Sequence, residues 1–182
     1  MITVGELLRH TVSISDNTAS DTLLALAGGP RAVTTRMAEL GFGAIRIDRS
    51  ERQMAADLAK EGGVERYAID VRDTSTPDAM AELLVALWNR RDGLTPESHD
   101  LLVRLMTETQ TGARRIKAVV PGATVAHKTG TMPGTTNDVA LITLPNGEHI
   151  ALAIFAKASK RDVTAEAEED IRAIAREVLD EL

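Results

Sequence analysis

The hydrophobic pattern changes near residue 123, and this change constrains the fold more than any other feature of the chain. Residues 123–158 are rich in β-branched side chains and poor in charge, in three runs at 124–131, 136–144 and 149–158. Pro145-Asn146-Gly147 separates the last two runs and is typical of a hairpin turn. The three runs therefore predict three antiparallel strands.

Helices are predicted on both sides of the strands. Pro30, Pro77 and Pro96 stand where new helices begin. A C-terminal helix is predicted from apolar residues at helical spacing, namely Ala167, Ile171, Ile174, Val178 and Leu182. This order predicts an α+β fold in one domain, with a helical lobe at 1–122 and the strands plus a covering helix at 123–182.

The helical lobe contains a long polar stretch at residues 48–73, which has no clean apolar stripe. Gly62-Gly63 lies in its middle, and only the part at 51–61 has some helical character. We therefore predict a structured, omega-like loop between two helices.

Composition excludes several classes of function. The chain contains no cysteine, and its four histidines lack the spacing of metal ligands. Its net charge is −6 and its basic residues are scattered, unlike those of a nucleic-acid-binding protein. The chain has no signal segment and no apolar run of the roughly 18 residues that a spanning helix needs. We expect no cofactor, no metal, no membrane partner and, for the chain as written, a cytoplasmic location.

Ser15-Asp16-Asn17 lies at a predicted helix start, and two interpretations of it are open. All three residue types are preferred N-caps, so simple capping explains the tripeptide by itself. In the alternative, the Ser15 hydroxyl passes a proton toward a leaving nitrogen and the Asn17 amide binds a substrate carbonyl. Asp16 is structural in both interpretations because its carboxylate accepts the backbone N–H groups that fix the turn.

Lys128-Thr129-Gly130-Thr131 ends the first predicted strand. A lysine on an edge strand also serves simply to discourage aggregation. Gly130 favours a site, because glycine inside a strand often marks the close approach of a ligand or another backbone. Lys128 then supplies charge, and Thr129 and Thr131 supply hydrogen bonds to a substrate that carries a carboxylate. The Thr131 N–H forms half of an oxyanion hole in this interpretation.

Charged residues at both ends of the polar stretch are further candidates. Glu51, in Asp48-Arg49-Ser50-Glu51, is either one charge in a solvated run or the base that activates a hydrolytic water. Asp73 is placed at the far end, where it can pair with Arg49 and close the loop, while Thr76 caps the next helix.

Taken in order, these motifs resemble those of the class A β-lactamases, a family of penicillin-recognising serine hydrolases. Residues 15–17 are similar to the family's Ser-Asp-Asn loop, and Arg49-x-Glu51 to the start of its omega loop. Residues 128–131 are similar to its Lys-Thr-Gly strand. The resemblance extends over essentially the whole chain, with further matches at 28–30, 72–77 and 136–139.

The resemblance implies a helical lobe packed on a five-stranded antiparallel sheet, of which this chain supplies three strands. It implies that a serine opens a β-lactam ring to give an acyl-enzyme, which a glutamate-activated water releases without a metal. By the same resemblance, Ser15, Glu51 and Lys128 are catalytic. The implied substrate-binding residues are Asn17, Lys128, Thr129, Gly130 and Thr131, and the implied structural residues are Asp16, Arg49 and Asp73.

The family's Ser-x-x-Lys nucleophile motif is missing from these 182 residues. No serine has lysine three positions later among Ser13, Ser15, Ser20, Ser50, Ser75, Ser98 and Ser159. We therefore expect the C-terminal portion of a family member, inactive alone, whereas full-length members are periplasmic or secreted. The family's last strand pairs with its first, so strand 149–158 is expected to be an exposed edge that favours self-association.

The loop also departs from the family's Arg-x-Glu-x-x-Leu-Asn pattern. Ala55 stands where asparagine helps to orient the water, and the loop is longer than usual. If the insertion precedes the glutamate, Glu61 or Glu65 replaces Glu51 as the base.

Two alternative functions are left open by the sequence. A peptidoglycan DD-peptidase or related acyl transferase shares the Ser-x-Asn and Lys-Thr-Gly elements but does not need the loop glutamate. A non-catalytic remnant or binding module keeps the cleft without the nucleophile. The predicted capping box Thr3-Val4-Gly5-Glu6, close to Met1, favours that interpretation.

Overall fold

The computed structural model describes residues 1–91, 93–158 and 164–181. Within these ranges, helices precede three strands and a last helix covers them, so the α+β prediction is confirmed. The helices are α1 (Val4–Arg9), α2 (Asn17–Leu26), α3 (Pro30–Glu39), α4 (Glu51–Leu58), α5 (Gly63–Ile69), α6 (Pro77–Trp88), α7 (Pro96–Thr107) and α8 (Thr164–Asp180). The strands are β1 (Thr124–Met132), β2 (Thr135–Thr143) and β3 (His149–Lys157).

Local capping decides where the helices begin. Asp16 caps α2, since its Oδ1 accepts a hydrogen bond from the Ala19 N–H at 2.7 Å. Thr76 caps α6 in the same way through the Ala79 N–H at 3.1 Å. The predicted starts of α3, α6 and α7 at proline are confirmed.

The structured loop predicted at 48–73 contains two short helices: α4 lies within the part at 51–61 that has some helical character in the sequence, and α5 was not predicted. Ser50 and Gln53 form a capping box at the start of α4. The Ser50 N–H donates to Gln53 Oε1 at 2.9 Å, and the Gln53 N–H donates to Ser50 Oγ at 3.2 Å. Only Leu58 of α4 is buried. An apolar stripe was therefore the wrong criterion for a helix that its cap initiates.

The three strands form one antiparallel sheet in the order β1-β2-β3. Lys128 lies opposite Val139 of β2, and Val139 lies opposite Ala153 of β3. The observed strands end within two residues of the predicted ones, and the turn at 145–147 joins β2 to β3 as predicted. This register places residues 128–131 at the end of an edge strand.

Side chains alternate between the two faces of the sheet, as the period of a strand requires. One face packs on α8, through Val125, Ala140, Ile142, Leu152 and Ile154 against Ile171 and Ala175. The other face packs on α6 and α7, through Ala126, Val139 and Leu141 against Leu84, Leu87 and Met106. The sheet therefore lies between the helical lobe and the C-terminal helix.

The predicted apolar face of α8 is only partly correct. Ile171 is fully buried, but Ile174 and Val178 are 45% and 37% exposed. Ala167 is buried as predicted, and Ala175, which was not predicted, is buried as well, since small side chains let a helix approach a sheet closely. Leu182, also assigned to this face, lies outside the described residues. No helix in the described part of the chain is long and apolar enough to cross a membrane.

Candidate active site

Ser15 lies at a sharp turn between the first helical segment and α2. Residues His10–Ile14 form a π-helical turn, and Ser15 follows it in the left-handed conformation with φ 64° and ψ 40°. This conformation is uncommon for a residue with a Cβ, and such strain is concentrated at functional sites. Ser13 anchors the turn, because its hydroxyl donates to the Leu105 carbonyl of α7 at 2.8 Å.

Lys128 and Ser15, 113 residues apart in the chain, are in direct contact. The Lys128 ammonium donates to Ser15 Oγ at 2.8 Å and to the Thr129 carbonyl at 2.7 Å. Burial lowers the pKa of Lys128, although the carboxylates of Glu51 and Asp138 oppose this shift. A lysine with a lowered pKa exchanges protons more readily with a hydroxyl that it contacts.

Glu51 is the first residue of α4, and α2 holds it in place. Its N–H donates to Asp21 Oδ1 at 2.7 Å, and the Arg52 N–H donates to Asp21 Oδ2 at 3.1 Å. Burial raises the pKa of Glu51, the Asp21 carboxylate adds to the shift, and the Lys128 charge opposes it. A half-buried carboxylate of this kind suits the role of a general base.

A cleft of about 630 Å³ lies between α2 and α4. Asn17, Glu51 and Ala55 all line it, so two of the predicted site residues share one cleft with the alanine that replaces the family's asparagine. Glu61 and Glu65 are exposed, and neither contributes to the pKa shift of the lysine at the site. Glu51 thus lines the cleft, and its charge raises the pKa of Lys128 against the effect of burial.

Arg49 closes the segment that carries Glu51. It is 6% exposed, and its Nε donates to Asp73 Oδ2 at 2.6 Å, so the predicted pair is present. Its Nη1 contacts Asp57 at 2.9 Å and Asp70 at 3.3 Å. Asp73 also accepts the N–H groups of Asp48 and Arg49, at 2.7 and 2.9 Å. Both ends of the segment are thereby tied together.

Removing the Arg49 charge is expected to destabilise the protein strongly. Arg49→Met leaves the Asp73 carboxylate buried without its cation, which costs about 3–5 kcal/mol in comparable pairs. The free energy of unfolding is measured by urea titration. The matched control is Arg36→Met, which removes an exposed pair with Glu39 and is expected to cost about 0.5 kcal/mol or less. Equal losses in the two variants would contradict the structural role of Arg49.

The side chain of Thr129 points into the protein interior. Its side chain is buried, and its hydroxyl shares a 2.6 Å hydrogen bond with the Thr111 hydroxyl. Gly112 makes room for it, because a Cβ on this residue, whose φ is +70°, would overlap the Thr129 methyl group. The Thr129 hydroxyl is therefore oriented by a neighbouring loop.

Gly130 is not explained by packing within the protein. A Cβ on Gly130 would make only an ordinary contact with Asn137, at 3.7 Å, and its φ does not lie in the left-handed region. A side chain here would instead project from the exposed end of β1. The absence of one keeps that surface open to a ligand.

Arg115 is a site residue that the sequence did not reveal. It is 4% exposed, and its Nη2 donates to the Thr131 hydroxyl at 2.6 Å. Its Nη1 donates to the Asn137 carbonyl at 2.8 Å, and its Nε lies 3.3 Å from Glu168 of α8. A fixed guanidinium thus lies at the end of β1. The only sequence signal was a pair of adjacent arginines in a segment without periodicity.

His127 and Asp138 form a second buried pair that the sequence did not reveal. Both are fully buried, and His127 Nδ1 lies 3.1 Å from Asp138 Oδ1. Asp138 Oδ2 also accepts the Ile116 N–H at 3.2 Å. The pair therefore connects β1, β2 and the segment at Ile116, and His127 directly precedes Lys128 in β1. Among the described residues, no three His, Asp or Glu side chains come together as a metal site.

A Ser-x-Asn turn held against a Lys-Thr-Gly strand in an α+β fold defines a penicillin-recognising serine hydrolase. The chain belongs to the beta-lactamase enzyme family, whose sequence model matches residues 1–182.

Relatives and solved structures confirm the class A prediction. Beta-lactamase VEB-1 of Pseudomonas aeruginosa is 37% identical over 93% of this chain and 56% of its own length. The carbapenem-hydrolyzing beta-lactamase KPC of Klebsiella oxytoca is 34% identical over 88% of this chain and 53% of its own. A variant of the last common ancestor of Gram-negative class A beta-lactamases has a TM-score of 0.83 and 35% identity, over 98% of this chain and 64% of that one.

The TLA-3 extended-spectrum beta-lactamase is a further structural neighbour, with a TM-score of 0.87 and 32% identity. The match covers 98% of this chain and 64% of that structure. The chain spans about half the length of the curated relatives that it matches.

Proposed function

We propose that this chain carries the proton-transfer and deacylation groups of a class A serine β-lactamase, which hydrolyses the lactam amide through an acyl-enzyme. The 2.8 Å contact between Lys128 Nζ and Ser15 Oγ supports the proposal most directly. It joins the two motifs at one point, and simple helix capping by Ser15-Asp16-Asn17 does not require it.

The contact suits protonation of the departing lactam nitrogen. Ser15 Oγ accepts a hydrogen bond from the Lys128 ammonium, so its own proton is free to be donated. As that proton moves to the nitrogen, Lys128 returns one to the Ser15 oxygen, and charge does not accumulate on the hydroxyl. The lowered pKa of Lys128 favours this transfer.

The end of β1 is proposed to bind the carboxylate of the substrate. Lys128 and Arg115 bring positive charge to it, and Arg115 orients the Thr131 hydroxyl. Gly130 leaves the strand surface open between them. Asn17, exposed at the edge of the cleft, is proposed to bind the substrate's amide carbonyl, and the Thr131 N–H is proposed to form part of the oxyanion hole.

Glu51 is proposed to remove a proton from the water that releases the acyl group. Its raised pKa and its position in the cleft with Asn17 support this role. Ala55 follows one helical turn later and lines the same cleft without a side-chain amide. Deacylation is therefore proposed to be slow relative to acylation.

The test joins this chain to the N-terminal, Ser-x-x-Lys-bearing segment of a class A relative. The fused protein is expected to hydrolyse a chromogenic cephalosporin. Lys128→Met is expected to lower kcat/KM about 10²–10⁴-fold, the usual contribution of a positioned proton donor or acceptor. Lys117→Met, at an exposed lysine, is the matched control and is expected to change little. A folded fusion that binds the cephalosporin without turning it over would favour the non-catalytic alternative.

A further inference from the structure

A second cavity, of about 420 Å³, lies within the segment that carries Glu51. All of its lining residues fall between Arg49 and Arg72, so one continuous segment builds it, with side chains from α4 and α5. The cavity shares no lining residue with the cleft that contains Asn17 and Glu51. It is therefore separate from the candidate active site, although α4 lines both.

The wall of this cavity is mainly basic, in contrast to the net charge of −6 on the whole chain. A cavity in which one sign of charge prevails attracts ions of the opposite sign. Its charged lining residues are the cations Arg49, Lys60, Arg66 and Arg72 and the anions Asp57 and Asp70.

Both lining carboxylates already have cationic partners. Lys60 Nζ donates to Asp57 at 2.6 Å, and this bond, with one from Arg49, lowers the pKa of Asp57 to about 2. Arg72 Nη2 donates to Asp70 at 2.6 Å and holds the pKa of Asp70 well below its usual range. Lys60 and Arg72 are thus neutralised within the wall, and the other two cations carry the argument for a ligand.

Arg49 keeps one hydrogen-bond donor that the protein does not satisfy. Its Nε donates to Asp73 at 2.6 Å, and its Nη1 contacts Asp57 at 2.9 Å and Asp70 at 3.3 Å. Its Nη2 is buried and has no hydrogen-bond partner among the described residues. Buried donors in folded proteins are nearly always satisfied, by the protein, by water or by a ligand.

Arg66 faces the same cavity from α5. Its guanidinium has no hydrogen-bond or ion-pair partner among the described residues, so its charge is not neutralised by a carboxylate. Gly63 lets α5 approach α4 closely, because a Cβ on Gly63 would overlap the Leu58 carbonyl. The chain therefore brings an unneutralised guanidinium to the cavity that Arg49 also lines.

We propose that this cavity binds a tetrahedral oxyanion, such as phosphate or sulfate, between Arg66 and the Nη2 group of Arg49. Guanidinium groups match the oxygens of such anions and form strong, charge-assisted hydrogen bonds with them. The bound anion joins α5 to the start of the segment. Because Arg49 lies two residues before Glu51, an occupied site stabilises the part of the chain that positions Glu51.

Inorganic phosphate is the probe, and it is titrated into the 182-residue chain and into the fused protein at constant ionic strength. Calorimetry measures the dissociation constant, and hydrogen exchange with mass spectrometry locates the effect. We expect saturable binding in both proteins, with slower amide exchange at residues 49–72 and no change in α6.

Arg66→Gln is expected to weaken phosphate binding about tenfold or more, because it removes a charge-assisted contact. It is also expected to cancel the slower exchange at residues 49–72. The matched control is Arg31→Gln, at an exposed arginine of α3 with no ion-pair partner among the described residues. Both variants change the net charge equally, and Arg31→Gln is expected to bind phosphate as the parent does.

The end of β1 is a second cationic surface, so the test also separates the two locations. Lys128→Met removes a charge from that surface and is expected to leave both phosphate binding and the protection at residues 49–72 unchanged. Phenyl phosphate distinguishes two sources of the anion. If it displaces phosphate, the site accepts a phosphate monoester; if it does not, the site is specific for the free ion.

Three results would overturn the proposal. The first is binding that Lys128→Met abolishes and Arg66→Gln leaves intact, which places the phosphate in the catalytic cleft. The second is an equal loss in Arg66→Gln and Arg31→Gln, which indicates non-specific attraction. The third is no saturable binding in either protein, which indicates that water alone satisfies Arg49. None of these readouts involves hydrolysis, so their failure is distinct from failure of the proposed function.

Discussion

The 182-residue chain alone is expected to hydrolyse a chromogenic cephalosporin no faster than buffer does. Ser15, Lys128 and Glu51 are proposed to move protons rather than to attack the substrate, and none of the seven serines belongs to a Ser-x-x-Lys motif. Loss of the nucleophile costs on the order of 10⁶ in kcat in a well-measured serine hydrolase. The measurement is the initial rate of the purified chain at high substrate concentration, with the fused protein described above as the positive control.

Turnover by the chain alone would contradict this expectation, and Ser15 would then be the residue to examine. Ser15 contacts a lysine, and a serine next to a lysine can act as a nucleophile with the lysine as its base. If turnover were found and Ser15→Ala abolished it, Ser15 would be the attacking group rather than the proton shuttle. If Ser15→Ala left it unchanged, the activity would come from a contaminant.

The strands and most helix starts could be predicted because local sequence determines them. Runs rich in β-branched residues and poor in charge marked the strands, with a turn signal at 145–147 between β2 and β3, and prolines marked the first residues of α3, α6 and α7. The motifs at 15–17 and 128–131 were found for the same reason, since each is a short run of particular residue types. Only the resemblance assigned them to one site, and their contact was not predicted, because no local pattern brings together residues 113 positions apart.

The residues that hold the site in place could not be predicted, because their partners are distant in the chain. Asp21 fixes Glu51 from 30 residues away, and Arg115 reaches Glu168 across 53 residues. Neither lies in a motif, and each is an ordinary charged residue until the fold gives it a partner. Ala175 was missed for a related reason, since an alanine carries too little apolar surface to stand out in a periodic pattern.

In the fused protein, Glu51→Gln is expected to stop deacylation while leaving acylation in place. Glutamine keeps the size of the side chain but cannot accept a proton, so water in the cleft loses its base. We expect one rapid burst of product followed by a rate about 10²–10⁴-fold below that of the parent fusion. Mass spectrometry should then find a stable acyl-enzyme.

The matched controls are Glu61→Gln and Glu65→Gln, because these exposed glutamates are the alternative bases. Both are expected to retain the turnover of the parent fusion, since burial raises the pKa of Glu51 and its charge acts on Lys128. A stalled acyl-enzyme in the Glu65→Gln variant would instead identify Glu65, in α5, as the base that activates the water. If Glu51→Gln had no effect while the fused protein still acylated, deacylation would not depend on a loop carboxylate, and the site would act like that of a DD-peptidase. A burst followed by slow turnover in the Glu51→Gln variant therefore indicates a β-lactamase, and unchanged turnover indicates a DD-peptidase-like site.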